Sequence, residues 1–150
     1  MEPIVDAATT ILEKLRSDIR QGLEGQDPEA LNWRPTPDGN SIAGLLAHML
    51  ESANFLLQLG LGNTIPRDRE AQFAASAPDA QTLLSRVDEG WPRLLDAARS
   101  YTPETLATSG EFRGNAVTGA WCLLQACAHL QEHWGQIQLT RDLHATRGAS

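Results

Sequence analysis

Cysteine is scarce in this chain, and its placement does not suit a disulfide. Cys122 and Cys127 are the only two cysteines among 150 residues. Five positions apart on one predicted helix, their side chains point to different sides, which argues against a bond between them. Unpaired cysteines are typical of a reducing compartment, so we expect a cytoplasmic protein.

Positive charge is also in short supply. Lysine and arginine together number 12, against 19 aspartates and glutamates, and the formal net charge is −7. The cations are scattered along the chain and form no cluster in the sequence. A nucleic-acid groove or a patch for an anionic membrane needs a cationic field, so the composition argues against both partners.

The sequence lacks a long apolar run, an internal repeat and a low-complexity tract. A bilayer span needs about 18 consecutive apolar residues, which no segment reaches. The N-terminal stretch MEPIVDAATTILEKLRS is interrupted by Glu and Lys, so we expect neither a secretory signal nor a transmembrane helix there. The length fits a single domain over residues 1–150, large enough to bury a core.

Apolar residues recur at helical spacing in four long stretches. Capping residues precede these stretches and glycines follow them, which sets their limits. The predicted helices run from Pro3 to about Leu23, from an Asn40 or Ser41 cap to Gly60, from near Asp79 to about Tyr101, and from Thr118 to about Leu143. No alternating β-branched run exceeds a few residues. The predicted fold class is therefore all-α, as a four-helix bundle.

The connections between these helices carry weaker signals. Asp27 and Pro28 indicate a single helical turn, and TPETLAT indicates a second capped turn. The segment SGEFRGNAV alternates and could pair as a small extended element. Pro92 lies inside the third helix and predicts a kink or an early break there.

Three histidines form the most informative pattern in the chain. His129 and His133 are four residues apart on the fourth helix, so they lie about 40° apart on one face. His48 lies in the otherwise apolar second helix. If the three rings converge, they offer three neutral nitrogen ligands and leave coordination positions open, as in catalytic metal sites.

The fourth helix adds a polar stripe around its histidines. Gln125 and Gln136 lie within about 40° of His129 around the helix axis. Apolar residues flank the stripe, among them Trp121, Leu124 and Ala128 on one side. We therefore expect the stripe to face inward, where a metal would satisfy its polar groups.

The other candidate residues, and His48 itself, also have interpretations without a role in a metal site. His48 could be a core histidine bonded to a backbone carbonyl, and His144 lies beyond the apolar periodicity, where we expect it to be solvated. Cys122 fits a small core residue better than a ligand, because two helical turns separate it from the histidine pair. Glu51 and Glu132 could orient a ligand or act as a general base, or they could be solvated helix charges.

Two motifs together resemble the DinB-like superfamily of four-helix-bundle metalloenzymes. The first is LNWRPTPDGNSIAGLLAHM, in which Trp33 precedes Ser41 and then His48. The second is AHLQEHWGQIQ around His129 and His133. Both occur in the family's order, and the resemblance covers roughly residues 5 to 140.

The resemblance implies an up-down-down-up bundle and a divalent metal held by His48, His129 and His133. It also implies relatives that form homodimers, which we expect here as well, since Leu57 and Leu61 fall outside the narrow apolar stripe of the second helix. Relatives include transferases that add thiols such as bacillithiol or mycothiol to electrophiles, and a mycothiol-dependent maleylpyruvate isomerase.

The predicted function follows from the chemistry of such a site. Three imidazoles leave a divalent ion its charge, so a bound thiol or water would ionise near neutral pH. A thiolate makes the protein an S-transferase for small electrophiles, and a hydroxide makes it a hydrolase. Zinc, nickel or iron would suit the ligands. Arg67, Arg69 and Arg113 could hold an anionic substrate or could be solvated, and a non-catalytic helical binding module is the remaining alternative.

Overall fold

Four long helices form a bundle in the computed structural model, which describes residues 1–148. Three helices of five residues and one two-stranded hairpin lie in the connections. In chain order the helices are α1 (Pro3–Leu23), α2 (Pro28–Asn32), α3 (Ile42–Gly60), α4 (Arg69–Phe73), α5 (Ala80–Arg99), α6 (Pro103–Ala107) and α7 (Gly119–Thr146). The strands are β1 (Ser109–Phe112) and β2 (Asn115–Thr118). The all-α bundle predicted from the sequence is confirmed.

Side-chain caps fix where three of the four long helices begin. Ser41 caps α3 by accepting from the backbone N–H of Gly44, and Asp79 and Thr118 cap α5 and α7 in the same way. Of the two predicted caps for α3, Ser41 is therefore the correct one. The last helix extends three residues past the predicted end at Leu143, as far as Thr146.

The early break predicted at Pro92 does not occur, because α5 continues through it to Arg99. Proline removes one backbone donor and crowds the carbonyl four residues earlier. Pro92 lies on the exposed face of α5, next to the fully buried Trp91. Water can therefore reach the carbonyl that the proline leaves without a donor. Burial of Trp91, whose indole N–H donates to the Leu12 carbonyl at 2.9 Å, holds the helix in place.

Two ion pairs show that α1 and α5 are antiparallel. Arg20, near the end of α1, pairs with Asp88 at 2.5 Å. Arg99, at the end of α5, pairs with Glu13 at 2.6 Å. These ion pairs are exposed and contribute little stability, but they establish the relative direction of the helices.

The helices α3 and α7 are also antiparallel. Gly60, at the end of α3, lies against Cys122 in the first turn of α7. Further along, His48 of α3 meets His129 of α7. A side chain at Gly60 would overlap its neighbours, so the glycine allows the two helices to approach closely at this end.

The pair α1 and α7 is parallel. The Cys127 thiol lies 3.9 Å from the Ala8 carbonyl oxygen, and Gly22 packs against Trp134. With α1 pointing up, α5 is down, α7 is up and α3 is down. The chain therefore follows the predicted up-down-down-up order. The consecutive helices α3 and α5 are parallel, so a long connection joins them, and it contains the short helix α4.

The hairpin confirms the small extended element predicted in SGEFRGNAV. Its strands pair antiparallel, with Phe112 opposite Asn115, which leaves Arg113 and Gly114 as the two-residue turn. Phe112 packs near Phe55 and Trp121, with ring centroids 6.2 and 5.7 Å away. These contacts hold the turn over the ends of α3 and α7.

The bundle surrounds one apolar core to which all four long helices contribute. By length and composition α3 could cross a membrane, but 67% of its most apolar window is buried inside the bundle. That burial is expected of a central helix that contacts its neighbours on several sides.

The structure corrects two expectations about surface residues. Leu57 is completely buried and Leu61 packs against the core, so neither marks a dimer surface. His144 is buried and not solvated. Its ring meets Trp33 edge-on at 5.4 Å, because the connection after α1 folds across the end of α7.

Candidate metal centre

The three predicted histidines converge where α3 and α7 face each other. The antiparallel pairing of the helices sets His48 opposite the pair formed by His129 and His133. One turn of helix separates the members of that pair, so both rings reach the same point. His48 and His133 are buried and His129 is half-buried.

The distances between the ring nitrogens fit a single ion. The Nε2 atom of His129 lies 3.0 Å from Nε2 of His133 and 3.3 Å from Nε2 of His48. All three ligand atoms lie within 4.8 Å of one another. An ion bonded to imidazole nitrogens at about 2.0 to 2.1 Å separates neighbouring nitrogens by about 2.8 to 3.4 Å in octahedral or tetrahedral geometry. The residues present therefore fit a divalent metal.

Two glutamines orient the outer nitrogens of the cluster. The Gln72 side-chain oxygen lies 3.1 Å from Nδ1 of His48, and the Gln136 side-chain oxygen lies 2.7 Å from Nδ1 of His133. An amide oxygen can only accept, so each Nδ1 carries the proton and donates. The tautomers fixed in this way leave the Nε2 lone pairs free to face the centre of the cluster.

Burial keeps two of the histidines neutral at physiological pH. It lowers the pKa of His48 to about 4, although the hydrogen bond to Gln72 acts in the opposite direction. It likewise lowers the pKa of His129 to about 4, and the proximity of His133 and Arg67 adds to this effect. Neutral imidazoles are the form that binds metals, so protons do not compete for these nitrogens near pH 7.

The short helix α4 covers the cluster from the side of α3. Phe73 stacks on the His48 ring with centroids 4.2 Å apart. The close approach requires Gly44, because a Cβ there would lie 2.6 Å from the Phe73 carbonyl oxygen. No helix was predicted in this segment, and Gln72 was not among the candidate residues. The Asp68 cap, which accepts from the Ala71 N–H at 3.0 Å, is the signal that could have revealed the helix.

The cluster opens into a pocket with a cavity volume of about 410 Å³. Arg67, Arg69 and Arg113 all line this pocket, so the arginines left undecided by the sequence do reach the site. Arg67 donates to Ser52 at 2.6 Å, and the Ser52 hydroxyl lies 3.3 Å from the His48 ring. Sequence reasoning did not identify Ser52, which lies one turn after His48.

The remaining candidate residues divide between the site and other regions. Glu132 is exposed and lines the pocket. Glu51 lies in a separate groove between α3 and α5, so it neither orients a ligand nor acts as a base here. Cys122 and Cys127 are buried in the core and bind nothing in the cluster. Burial raises the pKa of Cys127 to about 11.

Together the fold and the cluster define a four-helix-bundle protein with three imidazoles gathered between its second and fourth long helices. The chain belongs to the DinB superfamily, whose sequence profile matches residues 11–137. The family resemblance seen in the two motifs is therefore confirmed. A comparison with curated protein sequences finds no match.

Solved structures show the same fold. A DinB-like protein from Bacillus cereus has a TM-score of 0.72 at 16% identity, over 97% of this chain and 93% of that one. YfiT from Bacillus subtilis, described as a probable metal-dependent hydrolase with an unusual four-helix bundle topology, has a TM-score of 0.61 at 16% identity, over 92% and 90% of the two chains.

A third similar structure is a histidine-to-alanine mutant of the mycothiol-dependent maleylpyruvate isomerase. Its TM-score is 0.70 at 17% identity, and the alignment covers 89% of this chain but 60% of the isomerase. At such identities these similarities establish the fold and not the reaction.

Proposed function

We propose that the chain is a divalent-metal-dependent enzyme in which His48, His129 and His133 hold the ion. The observation that carries the proposal is the convergence of three Nε2 atoms at separations of 3.0 and 3.3 Å. Zinc or nickel suits three imidazole ligands, and iron is a third candidate. When bound, the ion supplies a nucleophile at neutral pH by lowering the pKa of the thiol or water that it coordinates.

The nucleophile has to come from outside the protein. Cys127 is buried with a pKa raised to about 11, and burial also raises the pKa of Cys122, so both remain thiols without access to a substrate. We propose a low-molecular-weight thiol as co-substrate and a small electrophile as acceptor, which makes the protein an S-transferase. The structural similarity to the mycothiol-dependent isomerase supports this choice.

A metal-dependent hydrolase is the second candidate. Glu132 lies on the pocket wall beside the histidines, where an exposed carboxylate could accept a proton from an attacking water. The similarity to YfiT supports this alternative. The two candidates share the ion site and differ in the nucleophile.

The ion site is tested by elemental analysis of the purified protein and of His48→Ala, His129→Ala and His133→Ala. We expect about one divalent ion per chain in the wild type and none in the variants, because two imidazoles hold an ion weakly. His144→Gln, which changes the fourth histidine of the chain, is the matched control and should keep the ion. Equal metal content in all five proteins would reject the site.

The reaction is tested by offering several thiols with a chloroaromatic or an unsaturated acceptor, with an ester and an amide as hydrolytic substrates. We expect thiol conjugation that disappears in His48→Ala while the helical circular-dichroism signal stays. Ester cleavage that needs the metal but no thiol would assign the protein to the hydrolases. No turnover in any assay, despite a tightly bound ion, would favour a non-catalytic binding module.

We also propose a homodimer formed through the outer face of α7. Among residues 1–148 only five large apolar side chains are exposed, and four of them lie on this helix: Trp121, Leu124, Leu139 and Leu143. Trp121 and Leu124 flank the polar stripe that was predicted to face inward, but both are exposed. Large apolar side chains exposed on one side of a helix are typical of a subunit interface.

Light scattering across a dilution series tests the dimer. We expect a dimer mass for the wild type and a monomer for Leu139→Glu, which places a charge in the apolar face. Gln81→Glu introduces the same charge at an exposed position on α5 and should remain a dimer. A monomer mass for the wild type at every concentration would contradict the proposal.

A further inference from the structure

The pocket beside the histidines concentrates positive charge in a chain that is acidic overall. Three of the 12 cationic side chains line this one pocket, although the net charge is −7. They come from two separate connections, since Arg67 and Arg69 follow α3 and Arg113 lies in the hairpin. Each guanidinium lies over a phenylalanine ring, with distances to the ring centroid of 4.9 Å for Arg67, 5.2 Å for Arg69 and 5.1 Å for Arg113.

No carboxylate neutralises these arginines. None of the three takes part in an ion pair within residues 1–148. Glu132 is the one acidic residue on the pocket wall in the same range. The Nε atom of Arg67 is buried without a hydrogen-bond partner. Arg67 is half-buried, and the partner of its guanidinium is the neutral Ser52 hydroxyl, so the pocket keeps positive charge that an anionic ligand would neutralise.

The hairpin turn gives a second, independent indication. Arg113 and Gly114 both have positive φ, at 51° and 79°, as in the type I′ turn of a tight hairpin. Asparagine or glycine suits the first of these positions, whereas arginine is strained there. Backbone strain that is kept at the wall of a pocket points to a role for the side chain.

We propose that the pocket binds its substrate through a carboxylate group, which Arg67 and Arg113 hold beside the three histidines, with Arg69 at the rim. The planar guanidinium fork matches the two oxygens of a carboxylate. That the bound carboxylate belongs to a substrate rests on the proposed function. On that basis, the electrophilic acceptor is a small organic acid. The phenylalanine ring beneath each guanidinium group restricts its motion.

The test is titration calorimetry on the full chain with succinate, and with succinamide as the uncharged probe of similar shape. We expect succinate to bind and succinamide not to bind. Arg67→Gln and Arg113→Asn should each weaken succinate binding about tenfold or more, as expected for the loss of a charged hydrogen-bond donor. Arg93→Gln removes an exposed arginine on α5, far from this pocket, and should leave binding unchanged.

Arg113→Asn also separates a binding role from a structural one. Asparagine accepts positive φ more readily than arginine does, so this variant should melt at the same or a higher temperature while it loses succinate affinity. A lower melting temperature together with unchanged binding would overturn the proposal. Equal binding of succinate and succinamide, or equal weakening by Arg93→Gln, would overturn it as well.

A chelator arm distinguishes failure of this inference from failure of the metal site. If succinate binding disappears on chelation but is unchanged in the arginine variants, the carboxylate binds the ion, and the arginine site is refuted. Binding that persists after chelation and is weakened by the arginine variants supports the arginine site, and elemental analysis of the histidine variants decides the ion site separately.

Discussion

Gly44→Ala should weaken metal binding although Gly44 touches no ligand atom. The added Cβ would lie 2.6 Å from the Phe73 carbonyl oxygen, whereas ordinary contact begins near 3.4 Å. The short helix α4 must therefore move away from α3 by about 0.8 Å to accommodate it. Gln72 precedes Phe73 on this helix, so its 3.1 Å contact with His48 would lengthen beyond hydrogen-bond range.

The size of the effect follows from the role of Gln72 as a positioning residue. Losing a partner that orients a metal-bound imidazole lowers affinity about 10- to 100-fold, or about 1.4 to 2.7 kcal/mol. The assay is competition between the protein and a chelator of known affinity. Gln72→Leu should give a similar loss, and the double variant should lose little more, because both changes break one contact.

Gly90→Ala is the matched control for this prediction. A Cβ at Gly90 would meet only the Leu50 side chain, at 3.6 Å, which is ordinary contact. The change should leave metal affinity unaltered and could raise stability by up to about 1 kcal/mol through helix propensity. Wild-type affinity in Gly44→Ala would refute the reasoning, and so would a loss in Gly44→Ala that adds fully to that of Gln72→Leu.

The remaining predictions concern the thiols, pH and helix packing. Because burial raises the pKa of Cys127 to about 11, a thiol reagent at pH 8 should label neither cysteine in the native protein and both after denaturation. Burial lowers the pKa of His48 and His129 to about 4, so as the pH falls these two histidines are protonated in the unfolded chain before they are protonated in the folded protein. The melting temperature of the metal-free protein should therefore fall as the pH drops from 6.5 toward 4. The fall should be smaller in a variant in which both histidines are changed to glutamine. Gly60→Ala should lower the free energy of unfolding by about 1 to 3 kcal/mol in a denaturant titration, because the added Cβ would overlap the side chains of Tyr101 and Cys122. Gly135→Ala is the control and should not lower it, because the space around Gly135 is open.

Periodicity and capping were sufficient to predict the helices of the bundle. Apolar spacing predicted the four long helices. Ser41, Asp79 and Thr118 indicated where α3, α5 and α7 begin, because a cap is a local interaction. The pairing of His129 and His133 could be predicted for the same reason, since two residues four positions apart on a helix share a face. The convergence of His48 with that pair depended on how two distant helices pack, for which the family motifs gave the only signal.

Features that depend on contacts between distant segments were missed or misjudged. Gln72 lies on a helix of five residues, too short to show a period, and its partner is 24 residues away in the chain. His144 looked solvated because it follows the apolar pattern, but Trp33 covers it from another connection. Pro92 looked like a break because sequence alone does not show which face of α5 meets water.

The two kinds of residue at the pocket belong to different parts of the chain. The three histidines lie on long helices held by the core, while all three pocket arginines lie on connections outside those helices. Connections tolerate substitution and insertion far better than packed helices do. Relatives could therefore acquire a new acceptor through changes in residues 61–69 and 109–118, as long as Gln72 and Phe73 keep their contacts with His48. Exchange of these two segments between DinB proteins offers a direct route to redesigned specificity.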